Sequence, residues 1–235
     1  MSNNYFKFKR FTIEQENCAM KVGTDGCLLG GWFNCTDSKR VLDIGCGTGL
    51  IAIMAAQRCE AHITGVEIDG TAALQARRNA DNSPWGSRIE ITNCDFLDYI
   101  TDSKFDTIVS NPPYFVNSLK CDDSSRTLAR HSDSLDCKIF FKKSIELLDN
   151  AGSVSIVIPC DIMDEWKAAA IEQGLHPTRV LFIRTTPKKM PKRVLMEFRA
   201  NSDCVTVEST LFLETSPGEY SDEAKKILGD FYLKL

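Results

Sequence analysis

Two stretches of the chain carry residues whose type and spacing could do chemistry. The first is Asn111-Pro112-Pro113-Tyr114. The Asn111 side-chain oxygen and the Pro112 carbonyl are two acceptors able to hydrogen-bond the N–H groups of a planar amine, such as an adenine amino group or a glutamine amide. The lone pair of such a nitrogen is delocalised, and pulling the nitrogen toward sp³ geometry frees it to attack an electrophile. The two acceptors act on charge that develops at nitrogen, so they favour the transition state over the ground state. The prolines fix the carbonyl in an extended geometry and add no competing donor. Tyr114 offers a flat face for stacking, worth on the order of 1–3 kcal/mol per base. Asn-Pro is also a common turn opener, so the motif gains chemical weight from following a strand downstream of a ligand-binding turn.

That turn is the second stretch, Asp43-Ile44-Gly45-Cys46-Gly47-Thr48-Gly49. Glycines where a strand hands over to a helix permit a sharp bend and leave the backbone open to a ligand. Glu67, with Ile68 after it, ends the next predicted strand, where a carboxylate can accept from both ribose hydroxyls of an adenosine. A dinucleotide fingerprint would need a third glycine at position 50, which is Leu50. Asp43 beside the turn suits a cationic ligand better than a dianionic pyrophosphate. A tight strand-to-helix turn without a ligand is the simpler alternative, and Glu67 in register argues against it.

These residues need a scaffold, and the hydrophobic pattern supplies one. Strands are predicted at 41–45, 62–69, 89–95 and from 105 to the prolines, then at 153–159, 177–185, 193–200 and 204–214. Helices are predicted at 50–58, 70–82, 136–149 and 161–173, and Ser221 is the expected N-cap of a closing helix. Alternation of this kind gives an α/β fold, a mostly parallel sheet with helices on both faces. The last strands lack an intervening helix, which places an antiparallel strand at the sheet's edge. One domain is the simplest organisation. Residues 1–40 form an N-terminal extension or lid, 41–200 the binding and catalytic core, and 201–235 a C-terminal strand and helix.

Composition narrows the class. The chain has 235 residues, 43% of them hydrophobic, enough for one substantial core. No run of about 18 apolar residues and no signal-peptide pattern is present, so a cytoplasmic protein without a membrane span is expected. The 10 cysteines include no Cys-x-x-Cys pair and the 3 histidines do not pair at ligand spacing, so no metal is expected. A net charge of −4 counts mildly against a general nucleic-acid binder. The cations, however, are unevenly distributed. PKKMPKR carries Lys188, Lys189, Lys192 and Arg193, and SSRTLARH carries Arg126, Arg130 and His131. If the strand at 177–185 is parallel to the others, the first of these segments sits beside the mouth of the site. It could read phosphates there, or be a solvated basic hairpin.

Over roughly residues 20–200 the sequence resembles the class I S-adenosylmethionine-dependent methyltransferases. That resemblance implies a Rossmann-like fold with a mostly parallel seven-stranded sheet and an antiparallel edge strand. It implies that Asp43, Gly45, Gly47 and Gly49 hold the methionine end of the cofactor. Glu67 and Ile68 then meet the ribose, Asp95 and Phe96 the adenine, and Asn111 lies at the junction with the acceptor. Lys21 to Gly26 looks like an extra motif, with Lys21 and Thr24 packed over the methionine end. Asn111-Pro112-Pro113-Tyr114 is similar to the motif of enzymes acting on adenine N6, cytosine N4 or glutamine amide nitrogen, and does not choose among them. The N-terminal KVGTDG…LLG, NPPYF, the RxLARH segment and the terminal DFYLK together resemble the bacterial tRNA (adenine-N6)-methyltransferases that modify adenine-37 of a valine tRNA. This implies an anticodon stem-loop substrate and S-adenosylmethionine, with a monomer as the simplest assembly. A glutamine methyltransferase and a non-catalytic binding module are the competing readings. A loop adenine is partly unstacked already, which lowers the cost of presenting it.

Overall fold

A computed structural model describes residues 3–16, 18, 20–113, 136–200, 205–216 and 218–235. Its main sheet has eight strands. In chain order the elements begin with a short hairpin, β1 (Tyr5–Lys7) and β2 (Thr12–Glu14), followed by α1 (Thr24–Trp32). The alternating part is β3 (Arg40–Ile44), α2 (Leu50–Arg58), β4 (His62–Glu67), α3 (Gly70–Asp81), β5 (Ile89–Asn93), β6 (Phe105–Ser110), α4 (Cys137–Leu147), β7 (Leu148–Pro159), α5 (Met163–Glu172) and β8 (Leu175–Arg184). The chain ends with β9 (Arg193–Ala200), β10 (Val207–Phe212), the small pair β11 (Glu214–Ser216) and β12 (Glu219–Tyr220), and α6 (Asp222–Leu228).

The sheet order is β10-β8-β9-β7-β6-β3-β4-β5. The order in which strands are added reverses between the parallel neighbours β3 and β6, which opens a crevice at the strands' carboxyl ends. The expected parallel α/β architecture is present, but with one more strand than the seven expected. The antiparallel strand is also not at the edge: β9 lies between β7 and β8 and is antiparallel to both. The edge is β10, parallel to β8. Burial accounts for the difference. Val194 to Phe198 of β9 are buried without a break, whereas Val207 to Thr210 of β10 are exposed, and a strand buried on both faces belongs inside a sheet. Since β9 reverses direction between them, β8 runs with β7 and its end at Arg184 reaches the carboxyl edge.

Strand residues alternate between two cores, as a period of two requires. Val109, Val157 and Leu195 face the core shared by α1, α2 and α6. Ile108, Ile156 and Met196 face the other, with Phe140 and Phe141 of α4 and Trp166 of α5. Helix starts follow local chemistry: Asp69 accepts from Thr71 and Ala72 N–H, Asp136 from Lys138 and Ile139, and Ser221 from Ala224. No helix among the described residues is long and apolar enough to cross a membrane.

The hairpin was not anticipated beyond an extension. It is pinned to α3 by Asn79, whose Oδ1 accepts from Glu14 N–H at 3.0 Å and whose Nδ2 donates to Glu14 O at 2.8 Å and Thr48 O at 2.9 Å. On the other side α1 packs against α6, where a Cβ added to Gly31 would lie 2.4 Å from the Ile227 carbonyl oxygen. Overpacking of that kind costs about 1–3 kcal/mol, against the roughly 1 kcal/mol that alanine gains over glycine in a helix. Gly31→Ala should therefore lower the urea midpoint at unchanged m value. It should do so more than Gly30→Ala, whose methyl meets the flexible Met54 sulfur at 2.6 Å. Equal midpoints for the two variants would show that α6 yields rather than holds α1.

Candidate active site

A cavity of about 790 Å³ opens at the carboxyl ends of β3, β4 and β6, within the size range typical of small-molecule sites. Its wall brings together most of the residues singled out from the sequence for the cofactor and the chemistry. Lys21, Thr24, Gly45, Gly47, Glu67, Ile68, Asp95, Phe96, Asn111 and Pro113 all line it.

The glycine turn forms one side. Gly45 and Gly47 have φ of 67° and 54°, and a Cβ added to either would meet nothing within 4 Å. The backbone there is bare toward open space, as a closely approaching ligand requires. Gly49 is different, because it is buried away from the wall and N-caps α2 at φ 78°, where a Cβ would stand 3.3 Å from Ala76 O. Its requirement is the packing of α2 against α3.

Asp43 is also absent from the wall. It is 1% exposed beneath the turn, with Oδ2 accepting from Ala52 N–H at 3.0 Å and Oδ1 without a partner. Burial pushes its carboxyl up to about 7, opposed by the Ala52 hydrogen bond and aided by the charge of Glu67. Asp43 thus acts from below the turn, through its field and its hold on α2.

Glu67 links two loops. Its Oε2 accepts from Gly47 N–H at 2.8 Å and its Oε1 from Asp69 N–H at 2.9 Å. Each oxygen keeps a further lone pair for a hydroxyl. Beyond it the wall becomes apolar, with Ile68 and Leu97 exposed and Phe96 buried. Asp95 holds the turn of Phe96 and Leu97 by accepting from Leu97 N–H at 2.9 Å. A carboxylate beside an apolar slot matches a planar base bearing an amino group.

Asn111 stands at the end of β6, whose Ser110 hydroxyl donates to Ile44 O at 2.9 Å and aligns the two strand ends. The Asn111 Oδ1 is buried without a hydrogen-bond partner. An orphaned acceptor of this kind is costly unless a ligand satisfies it. From the opposite side α1 closes in, so that a Cβ on Gly26 would lie 4.0 Å from Asn111 Nδ2. Pro112 is buried and Pro113 exposed. Tyr114, Arg126, Arg130 and His131 lie outside the described residues.

Some wall residues carried no usable signal in the sequence. Asp136 and Ile139 arrive from the start of α4, whereas Asp25, inside the segment Lys21 to Gly26, arrives from α1. Asp25 pairs with Arg193 at 2.7 Å, so Arg193, expected at the RNA, has a partner within the protein. Lys188, Lys189 and Lys192 are exposed on the turn between β8 and β9, at the same edge of the sheet. The family signal lay in Lys21 to Gly26, but which atoms it would meet was set by the fold.

A family model described as the methyltransferase small domain matches residues 20–165. A Bacteroides fragilis protein named tRNA1(Val) (adenine(37)-N6)-methyltransferase is 50% identical over 239 positions, covering 100% of both chains. A Vibrio campbellii protein of the same name is 38% identical, covering 98% of this chain and 96% of its own. The chain belongs to this methyltransferase family.

Among solved structures, a "predicted O-methyltransferase" from Agrobacterium tumefaciens superposes with a TM-score of 0.72 at 19% identity, over 88% of this chain and 96% of that one. A glycopeptide N-methyltransferase complexed with S-adenosylmethionine gives 0.58 at 12%, over 77% of this chain and 100% of that one. Both likenesses concern the fold alone.

The cofactor of this methyltransferase is S-adenosylmethionine, and the cavity fits it. The bare backbone at Gly45 and Gly47, the further lone pairs of Glu67 and the apolar slot beside Asp95 would provide for its methionine, ribose and adenine parts. When bound it supplies an electrophilic methyl group on a cationic sulfur.

Ionised Asp43 attracts that cation, and neutral Asp43 does not. Because burial pushes its carboxyl up to about 7, cofactor affinity should be highest above that pH and fall as pH drops through it. Calorimetry across pH 5.5–8.5, a window spanning about 7, should show this dependence in the wild type and a flat profile in Asp43→Asn. A flat wild-type profile would remove Asp43 from the electrostatics of the site. For Asn111→Ala we expect nearly unchanged cofactor affinity and a rate lowered by about 100-fold or more, the scale of losing one preorganised polar contact to developing charge. A loss below about threefold would contradict the role assigned to Oδ1.

Proposed function

We propose that the protein transfers a methyl group from S-adenosylmethionine to the exocyclic N6 of adenine-37 in a valine tRNA. The orphaned Asn111 Oδ1, buried at the cavity floor, is the observation that carries the reading. It is the acceptor that an amino N–H needs if its nitrogen is to become nucleophilic. The Pro112 carbonyl accepts the second N–H, and Tyr114 stacks on the base. The attacking nitrogen loses its proton to solvent after it has become cationic, so no resident base is required.

The relatives' names supply the nucleotide, and the charge distribution agrees with an RNA. Lys188, Lys189 and Lys192 stand exposed at the cavity's edge of the sheet on a chain whose net charge is −4. They engage phosphates of the anticodon stem-loop, a role that the sequence alone also suggests for Arg126, Arg130 and His131. We further infer a cytoplasmic monomer built as one domain, the N-terminal extension serving as part of the cofactor wall.

The deciding experiment is nucleoside mass spectrometry of bulk tRNA treated with the protein and methyl-labelled cofactor. The expected product is N6-methyladenosine in one valine tRNA. Label in another base, or in a protein glutamine, would refute the reading. Reversing Lys188, Lys189 and Lys192 together to Glu should abolish RNA methylation at ordinary salt while cofactor affinity stays as it was. Arg193 is left intact in this variant to spare its pair with Asp25. Persistent labelling by it would remove the turn from substrate binding.

A further inference from the structure

The turn between β8 and β9 is held in shape from within. Arg184, the last residue of β8, donates from Nη2 to Pro187 O at 2.6 Å and from Nε to Lys189 O at 2.5 Å. Its guanidinium lies over the Phe212 ring, 5.4 Å from the centroid. Phe212 is the register partner of Arg184 on the edge strand β10. The chain beyond β10 continues the bracing, with Leu213 N–H donating to Arg184 O at 2.8 Å and Glu214 N–H to Thr185 O at 3.0 Å. Within the turn, Lys189 N–H donates to Thr186 O and Lys192 N–H returns to Ile183 O. At its far end Arg193 meets Asp25 of the cavity wall.

This bracing presents Met190, which is 77% exposed between Lys189 and Pro191. A single exposed apolar side chain on a surface needs no explanation. This one stands among Lys188, Lys189 and Lys192, on a backbone ordered before any partner arrives, at the edge of the sheet where the cavity opens. Cations there draw phosphates close, and the group then brought against Met190 is a base. A methionine thioether is soft and polarisable and packs well on an aromatic face.

We propose that Met190 packs on an unstacked base beside the adenine to be methylated, and that Arg184 is the positioning residue that holds it there. The inference rests on the tRNA reading above. A preformed turn does not have to be ordered at binding, so the contact retains most of its affinity. Met190 carries no charge, so its contribution differs in kind from that of its neighbours. Each lysine on a phosphate steepens the salt dependence of binding, whereas an apolar base contact leaves that slope alone.

The test is steady-state methylation of the tRNA that the wild type labels, with RNA affinity measured across a salt series. Met190→Ala should raise the KM for tRNA about tenfold, the scale of one base stack, and change kcat less than about twofold. The salt slope and the affinity for S-adenosylmethionine should not move. Met190→Phe, which keeps a broad apolar surface, should restore KM. Arg184→Lys keeps the charge but loses the rigid fork whose separate nitrogens reach the Pro187 and Lys189 carbonyls, so it should raise KM as Met190→Ala does, and the double variant should be little worse than either. A wild-type KM in Met190→Ala, or full rescue by Met190→Lys, would overturn the proposal while leaving tRNA methylation standing. If the wild type labels no tRNA, both fall together.

Discussion

The carboxylate of Glu67 holds together the two loops that must face each other across the cavity. One oxygen takes the N–H of Gly47 in the glycine turn and the other that of Asp69 at the start of α3. Hydrogen bonds to a carboxylate acceptor are the stronger kind; the one from Gly47 crosses between the ends of neighbouring strands β3 and β4, and the one from Asp69 fixes the turn after β4 on the same side chain. They add to the bonds from Gly45 and Cys46 N–H to Val66 O, which join the turn after β3 to the end of β4. The ligand-facing geometry on both sides follows from that link. Asp43 completes it from beneath by tying the turn to the first coil of α2.

Much of the site was legible because the chemistry demands particular residue types. Bare backbone requires glycine, a ribose-binding end requires a carboxylate, and an acceptor for an amino group requires Asn111 in a rigid frame. The strand periods placed these residues at one edge of a sheet. Asp43 was legible as a carboxylate but not as a buried one, because its place on the inner face depends on where β3 lies in the stack. The packing of Gly49 was hidden for a related reason: its neighbour Ala76 belongs to a helix whose packing no local pattern reports.

The rest was hidden by sequence separation. Asn79 gives no sign that its amide bonds a hairpin 65 residues earlier. The position of β9 was closer to the surface of the sequence. RVLMEFRA reads as a strand buried on both faces, whereas VEST in β10 alternates poorly and suits an edge. A short turn between β8 and β9 already forces them to be antiparallel; what it does not say is which of the two pairs with β7.

The far ends of the chain meet behind the cofactor wall. Lys9 N–H donates to Phe231 O, Gln57 to Asp230 O, and α6 backs the helix that carries Thr24 and Asp25. Chains emerge from the ribosome amino end first, so Lys21 to Gly26 are available long before their support. The backing of the helix that carries Thr24 and Asp25 therefore comes from a segment made long after it. Deleting α6 would take the backing from that wall while leaving in the chain every residue that lines the cavity.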